Sequence, residues 1–166
     1  MIEIVEASEP ERMPVVRELF LEYAKWLGFD LCFQGFQEEL ETLPGKYAPP
    51  EGRILLALDS PDPLKGQAHA AVLEPAGVVA LRPLGEGVCE MKRFWVRPPY
   101  RGKGLGRELG TRIVEAARQI GYSEMVLDTL PQMEAARKVY LSLGFEVCEP
   151  YYHNPRDEVV YMRKAL

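Results

Sequence analysis

The stretch CEMKRFWV (89–96) leads into a glycine-rich turn, RGKGLG (101–106). Leu105, Leu109, Ile113, Ala116, Ala117 and Ile120 then recur every three or four residues as far as Gly121. The first run reads as a strand. The apolar stripe after it reads as an amphipathic helix about 25 Å long at ~1.5 Å per residue. EMVLDTL (124–130) is the next strand. Strand, helix, strand in this order is a βαβ unit, with a right-handed crossover and two parallel strands. That unit limits the chain to an α/β or α+β architecture.

The flanks add to it. Residues 2–5 alternate apolar and acidic like a half-buried strand, and Ser8 and Pro10 mark a helix start. Val15, Val16, Leu19, Phe20, Tyr23, Ala24 and Leu27 share one face of that helix, and Gly28 stops it. FQEELETL (36–43) is a short helix ended by Pro44-Gly45, RILLALD (53–59) a buried strand, SPDPLKGQ (60–67) a loop and AGVVALRPL (76–84) a strand that turns at GEG. Pro131 opens another helix, with Ala135, Ala136, Val139, Tyr140 and Leu143 inward and Gly144 as its stop. FEVCEPYY (145–152) and EVVYMRKAL (158–166) form an antiparallel pair. The expected fold is a mixed central sheet of about seven strands with helices on both faces.

A chain of 166 residues has room for a single domain, 1–166, with one core. Its net charge of -5 argues against a nucleic-acid binder, which needs a basic surface. Cys32, Cys89 and Cys148 lie far apart without a CxxC pair, and neither His69 nor His153 has metal-ligand spacing, so no disulfide framework and no metal are expected. The acidic start and the break at Glu74-Pro75 in the longest apolar run give neither a signal peptide nor a membrane span. A soluble cytoplasmic protein is expected, and a homodimer is open to it.

Glycines at 102, 104 and 106 can aim backbone N–H groups at one spot, and the helix that follows favours an anion there. A plain flexible turn is the alternative reading. Arg97, Arg101, Lys103 and Arg107 surround the turn and favour a phosphate-bearing ligand. A P-loop is absent, and GxGxxG has the wrong spacing here. The pattern [QR]xxGxG is met by Arg101, Gly104 and Gly106, and in it the chain resembles the GNAT superfamily of acyl-CoA-dependent N-acetyltransferases. FWVRPPYRGKGLGRELG (94–110) is similar to the family's fourth strand, pyrophosphate loop and third helix. AARKVYLSLGF (135–145) is similar to its fourth helix and the turn after it. The likeness covers Arg53 onward and, more loosely, the two N-terminal helices.

The resemblance implies acetyl-CoA as co-substrate and a fold whose fourth and fifth strands splay apart around the pantetheine arm. Its backbone partners become Phe94, Trp95 and Val96, with a strand N–H near Val96 on the thioester oxygen. The pyrophosphate is implied to meet the main chain of Arg101, Gly102, Lys103, Gly104, Leu105, Gly106 and Arg107. Many family members carry an asparagine where this chain has Met133, so Asp128 or Thr129 stands in as the cofactor contact.

Acetyl transfer to an amine requires a neutral amine, whose usual pKa is about 10.4. Glu90, fourteen positions before Gly104, falls where some family members place a general base acting through water. A carboxylate paired with Lys92 or Arg82 is the alternative. Tyr140 falls on the family's position for the acid that protonates the departing thiolate; an ordinary core tyrosine is the other reading. The acceptor is expected to be an amine of a small molecule or peptide. Tyr23, Trp26, Phe33 and Phe36 from the N-terminal region, and Tyr151, Tyr152 and His153 near the C-terminus, are candidates for its pocket or for packing. Lys92, Arg93 and Arg97 are expected as cofactor or solvent contacts. A catalytically silent acyl-CoA sensor of the same fold is the competing function.

Overall fold

A computed structural model describes residues 1–28, 30–31, 35–60 and 72–166. The alternating residues of IEIVE make an edge strand, β1 (Ile2–Glu6), antiparallel to β2 (Arg53–Asp59). β2 buries five residues in a row because helices cover both its faces: Leu55 and Ala57 point into one core, Ile54, Leu56 and Leu58 into the other. β3 (Glu74–Gly85) and β4 (Val88–Val96) form a hairpin, and β5 (Glu124–Thr129), β6 (Glu146–Cys148) and β7 (Val160–Ala165) complete a seven-stranded sheet in the order β1-β2-β3-β4-β5-β7-β6. Every neighbouring pair is antiparallel except β4 and β5, the parallel pair that the βαβ unit demands.

Helices α1 (Met13–Leu27) and α2 (Phe36–Glu41) cover one face, with Val16, Leu19, Phe20, Phe36 and Leu40 buried there. The other face carries α3 (Leu105–Ile120) and α4 (Glu134–Ser142). Gly28 and Gly121 end α1 and α3 in left-handed geometry, as their positions predict. The start of α4 differs from the sequence expectation. Residues 131–132 form a turn closed by the Met133 amide on the Leu130 carbonyl, so Pro131 precedes the helix and Ala135 is left exposed. The 60–67 loop lies outside the described residues after Ser60. Among the described residues no helix is long and apolar enough to cross a membrane.

Two irregularities in β4 shape everything near the site. Along β3, Val78 pairs with Trp95 and Ala80 with Lys92, so β4 carries one extra residue between them. This is a β-bulge, and Arg93 sits in it with φ +58, a left-handed conformation that side-chain-bearing residues rarely adopt. The bulge breaks the alternation of faces. Cys89 and Met91 point to the α3 side, Glu90, Lys92 and Arg93 lie on the α1/α2 side, and Phe94 and Val96 return to the α3 side. The second irregularity is that β4 and β5 pair only from Val88↔Glu124 to Glu90↔Val126, after which β4 runs on to Val96 with no strand partner on that side among the described residues. Beyond Glu90 the sheet is open.

α1 is tied to the far end of β4 by one carboxylate. Glu22 accepts a hydrogen bond from Trp95 Nε1 at 3.0 Å and from Arg97 Nη2 at 2.6 Å, and Glu18 pairs with the same guanidinium. Burial raises the Glu22 carboxyl, but the bonds from Arg97 and Trp95 outweigh it and leave its pKa below the ordinary value. A carboxylate with a depressed pKa adds stability above its unfolded pKa and loses it as pH falls through the folded one. Glu22→Gln is expected to cost about 1–2 kcal/mol at pH 7. Thermal melts across pH check this: the gap to wild type should close below about pH 4.

Candidate active site at the parting of two strands

The turn between β4 and α3 has the geometry of an anion cradle. Gly102 and Gly104 adopt φ +72 and +85, and nothing lies within 4 Å of where a Cβ would stand at either. A positive φ, not crowding, is what requires glycine there. Gly106 differs, since a Cβ on it would meet the Phe94 ring at 3.3 Å, so its missing side chain lets α3 pack on β4. The first bond of α3 runs from the Glu108 amide to the Gly104 carbonyl, and no side chain caps the helix. The amides of residues 102–107 therefore have no backbone acceptor among the described residues. These donors, the open space beside them and the unpaired edge of β4 at Phe94–Val96 fit a diphosphate carrier with an extended arm.

The surrounding cations are less available than their spacing suggests. Arg97 is turned away toward Glu18 and Glu22, which corrects its expected place at the turn. Arg101 donates from Nε to the Val96 carbonyl at 2.8 Å and lays its guanidinium over the Trp95 ring, and Lys103 donates to the Pro99 carbonyl. Arg107 stays exposed beside the first turn of α3.

Where β4 and β5 part, a cavity passes between the two faces of the sheet. Its walls include Tyr23 and Leu27 of α1, Met91 to Phe94 of β4, Asp128 and Thr129 of β5, Met133 and Tyr140 at α4, and Asn154. Tyr140 is buried, with its ring 5.7 Å from that of Phe94 and 6.1 Å from that of Phe145. Burial, and to a smaller extent Tyr23 and Asp128, push its hydroxyl well above the usual tyrosine pKa, so it keeps its proton. Its hydroxyl has no hydrogen-bond partner among the described residues. Thr129 donates to the Met133 thioether at 3.5 Å, a weak link at the place where the family asparagine is missing.

Glu90 is held among ion-pair and hydrogen-bond partners. Its side chain is 1% exposed and is not among the described residues lining the cavity. Oε1 accepts from Arg82 Nε at 2.9 Å, Oε2 accepts from the Tyr151 hydroxyl at 2.6 Å, and Lys92 Nζ stands 4.0 Å from Oε2. The only carboxylate among the described cavity-lining residues is instead Asp128, which accepts a short hydrogen bond from Tyr152, itself bonded by Asn154.

Lys92 and Arg93 are a further correction. Both are buried on the α1/α2 side, Lys92 by the alternation it shares with Glu90 and Arg93 because the bulge puts it on the same face, so neither is a contact with open solvent, although both line the cavity. Arg93 is held by Glu39 through two hydrogen bonds, 2.8 and 3.1 Å, with the Phe36 ring 4.9 Å from its guanidinium. Burial first, and Arg93 second, lower the pKa of Lys92. Among the aromatic candidates, Tyr23 lines the cavity, with burial pushing its hydroxyl up to about 12. Trp26 is exposed against Trp95, His153 is exposed, and Phe33 lies outside the described residues. Leu31, Leu130 and Val159 complete the described walls, and like Asn154 they had no motif to announce them. Removing one partner of a buried ion pair leaves the others uncompensated, so Glu90→Gln is expected to lower stability by about 3 kcal/mol in a urea titration.

Comparison with known proteins agrees with this geometry. Residues 22–145 match the acetyltransferase (GNAT) family. An uncharacterised N-acetyltransferase of Schizosaccharomyces pombe is 42% identical over 166 aligned residues, 99% of this chain and 95% of the relative. Among solved structures, a GNAT-family acetyltransferase from Staphylococcus aureus superposes with a TM-score of 0.76 at 18% identity, covering 99% of both chains. The PaiA N-acetyltransferase of Thermoplasma acidophilum, solved in complex with coenzyme A, superposes at 0.69 with 20% identity, covering 100% of this chain and 99% of that one. The chain belongs to the GNAT family of acetyltransferases.

Proposed function

We propose that the protein is an N-acetyltransferase that passes the acetyl group of acetyl-CoA directly to a primary amine of a small molecule or peptide. The observation that carries this reading is the row of amides at 102–107 that have no backbone acceptor among the described residues, beside the open edge of β4, with Tyr140 in the adjoining cavity. When bound, acetyl-CoA supplies an acetyl group activated as a thioester. The amides of 102–107 and the positive end of α3 hold its diphosphate, and the β4 backbone at Phe94, Trp95 and Val96 hydrogen-bonds its arm. Asp128 and Thr129, at the end of β5, stand beside that arm where the family asparagine is absent. Tyr140, protonated and buried, gives its hydroxyl proton to the departing sulfur. Glu90 acts as a positioning residue that fixes Lys92 and Tyr151. The unpaired thiols of Cys89 and Cys148 suit a reducing compartment, and we place the protein in the cytoplasm.

Two measurements test the reading. Incubation with acetyl-CoA and a broad amine panel should release free thiol, and CoA should raise the melting temperature; a blank panel with no thermal shift sinks it. Tyr140→Phe is expected to lower kcat by about 10- to 100-fold with CoA affinity kept. Gly104→Val, which places a branched side chain at a left-handed position inside the cradle, is expected to weaken CoA binding by at least about tenfold.

A further inference from the structure

The cavity joins the two faces of the sheet, and the groups on its walls divide between them. Met125 and Leu127 of β5 point into the α3-side core, so alternation turns Asp128 to the α1/α2 side, while Tyr140 reaches the parting from the α4 side. Asp128 Oδ2 accepts the hydrogen bond from Tyr152, and Oδ1 has no partner among the described residues and lies open to the cavity. Nor does Asp128 enter an ion pair among them. Glu90, by contrast, has Arg82, Lys92 and Tyr151 around it and stands outside the described walls. The other groups in electrostatic reach of Asp128 are poor proton acceptors. Burial raises the pKa of Tyr23 on α1, Tyr140 on α4, Tyr151 and Tyr152 in the C-terminal connection and Tyr161 on β7, and the charge of Asp128 adds to the rise in each. Those hydroxyls keep their protons. Lys92, on β4, is paired with Glu90, and the charge of Asp128 opposes the lowering of its pKa by burial.

We propose that Asp128 is the catalytic base for the acceptor, taking a proton from its ammonium on Oδ1, and that Tyr152 is the residue that positions it. The inference rests on the acetyltransferase reading and adds the group that activates the amine. The N–H bond breaks with its electron pair left on nitrogen, and an O–H bond forms on Asp128. A buried cavity favours the resulting neutral amine and neutral acid over two charges. The freed pair makes the N–C bond to the acetyl carbon as the C–S bond breaks. Tyr140 gives its proton to sulfur and regains one from the same nitrogen, so base and acid work from opposite sides of the sheet. The proton on Asp128 passes to water when the product leaves. Tyr152, itself bonded by Asn154, holds Oδ2 and so keeps Oδ1 turned to the cavity.

The test is the pH profile of thiol release from acetyl-CoA with the fastest-reacting primary alkylamine of the panel. Such an amine is mostly protonated up to about pH 10, and below that its neutral fraction grows about tenfold with each pH unit. With a base in the cavity the protein needs no free amine, so the wild-type kcat/KM should stay level from about pH 6 to about pH 9. Asp128→Asn is expected to lower kcat/KM about 100-fold at about pH 7 and to recover about tenfold per pH unit, because that variant must wait for neutral amine. Tyr152→Phe should lower it about tenfold with the level profile kept, and an unchanged rate removes its positioning role. A wild-type kcat/KM that itself climbs about tenfold per pH unit overturns the proposal. So does an Asp128→Asn variant that keeps the wild-type rate or loses it equally at every pH. If that variant does not fold, the wild-type profile decides alone. Thiol release that does not depend on Asp128 leaves the acetyltransferase reading standing and removes only the base, whereas no release from any amine defeats that reading itself.

Discussion

The parting of β4 from β5 after the Glu90↔Val126 pair is the constraint on which the site depends. A parallel pair that stayed zipped would close the sheet, separate its two faces and satisfy the β4 backbone. Because pairing ends early, residues from both faces meet in one cavity: Tyr23 comes from the α1 side and Tyr140 from the α4 side. The strand keeps its course through its other edge, where β3 pairs as far as Gly77↔Val96. Glu22 fastens the same end of β4 to α1 through Trp95 and Arg97. An open edge can persist because the rest of the strand is held so firmly.

The bulge at Arg93 sets the electrostatics. Two successive cations on one buried face would be ruinous without counter-charges. Glu39 comes from α2, and Glu90 from two residues back on β4 itself. The C-terminal connection then joins in, with Tyr151 on Glu90 and Tyr152 on Asp128, although β6 and β7 lie at the opposite end of the sheet from β1. Three aromatic rings, Tyr151, Tyr152 and Tyr161, pack against one another within 5.3 to 5.5 Å and hold that connection in place. What looks like a loop tail is one wall of the site.

Much of this was legible in the residues. The βαβ unit, the parallel pair, the helix stops at Gly28 and Gly121 and the glycine cradle all follow from local periodicity and the conformational range of glycine. The inward, buried position of Tyr140 was legible as well, because its helical face is a local fact. The roles of Lys92, Arg93 and Arg97 were not. Strict alternation puts Lys92 and Arg93 on opposite faces, and only the register against β3 reveals the extra residue that puts them on the same one. Glu90 was ambiguous for a related reason: a carboxylate on a strand is a base or an ion-pair partner according to what stands across from it, and Arg82 and Tyr151 are 8 and 61 residues away in the chain.

The sequence by itself determined the element order, the parallel pair and the glycine turn before α3, since each arises from interactions between residues close along the chain. Tertiary structure alone decided which charges neutralise one another and which side chains share the cavity. Those outcomes depend on a one-residue slip in strand register and on contacts between distant segments, and no local pattern encodes either.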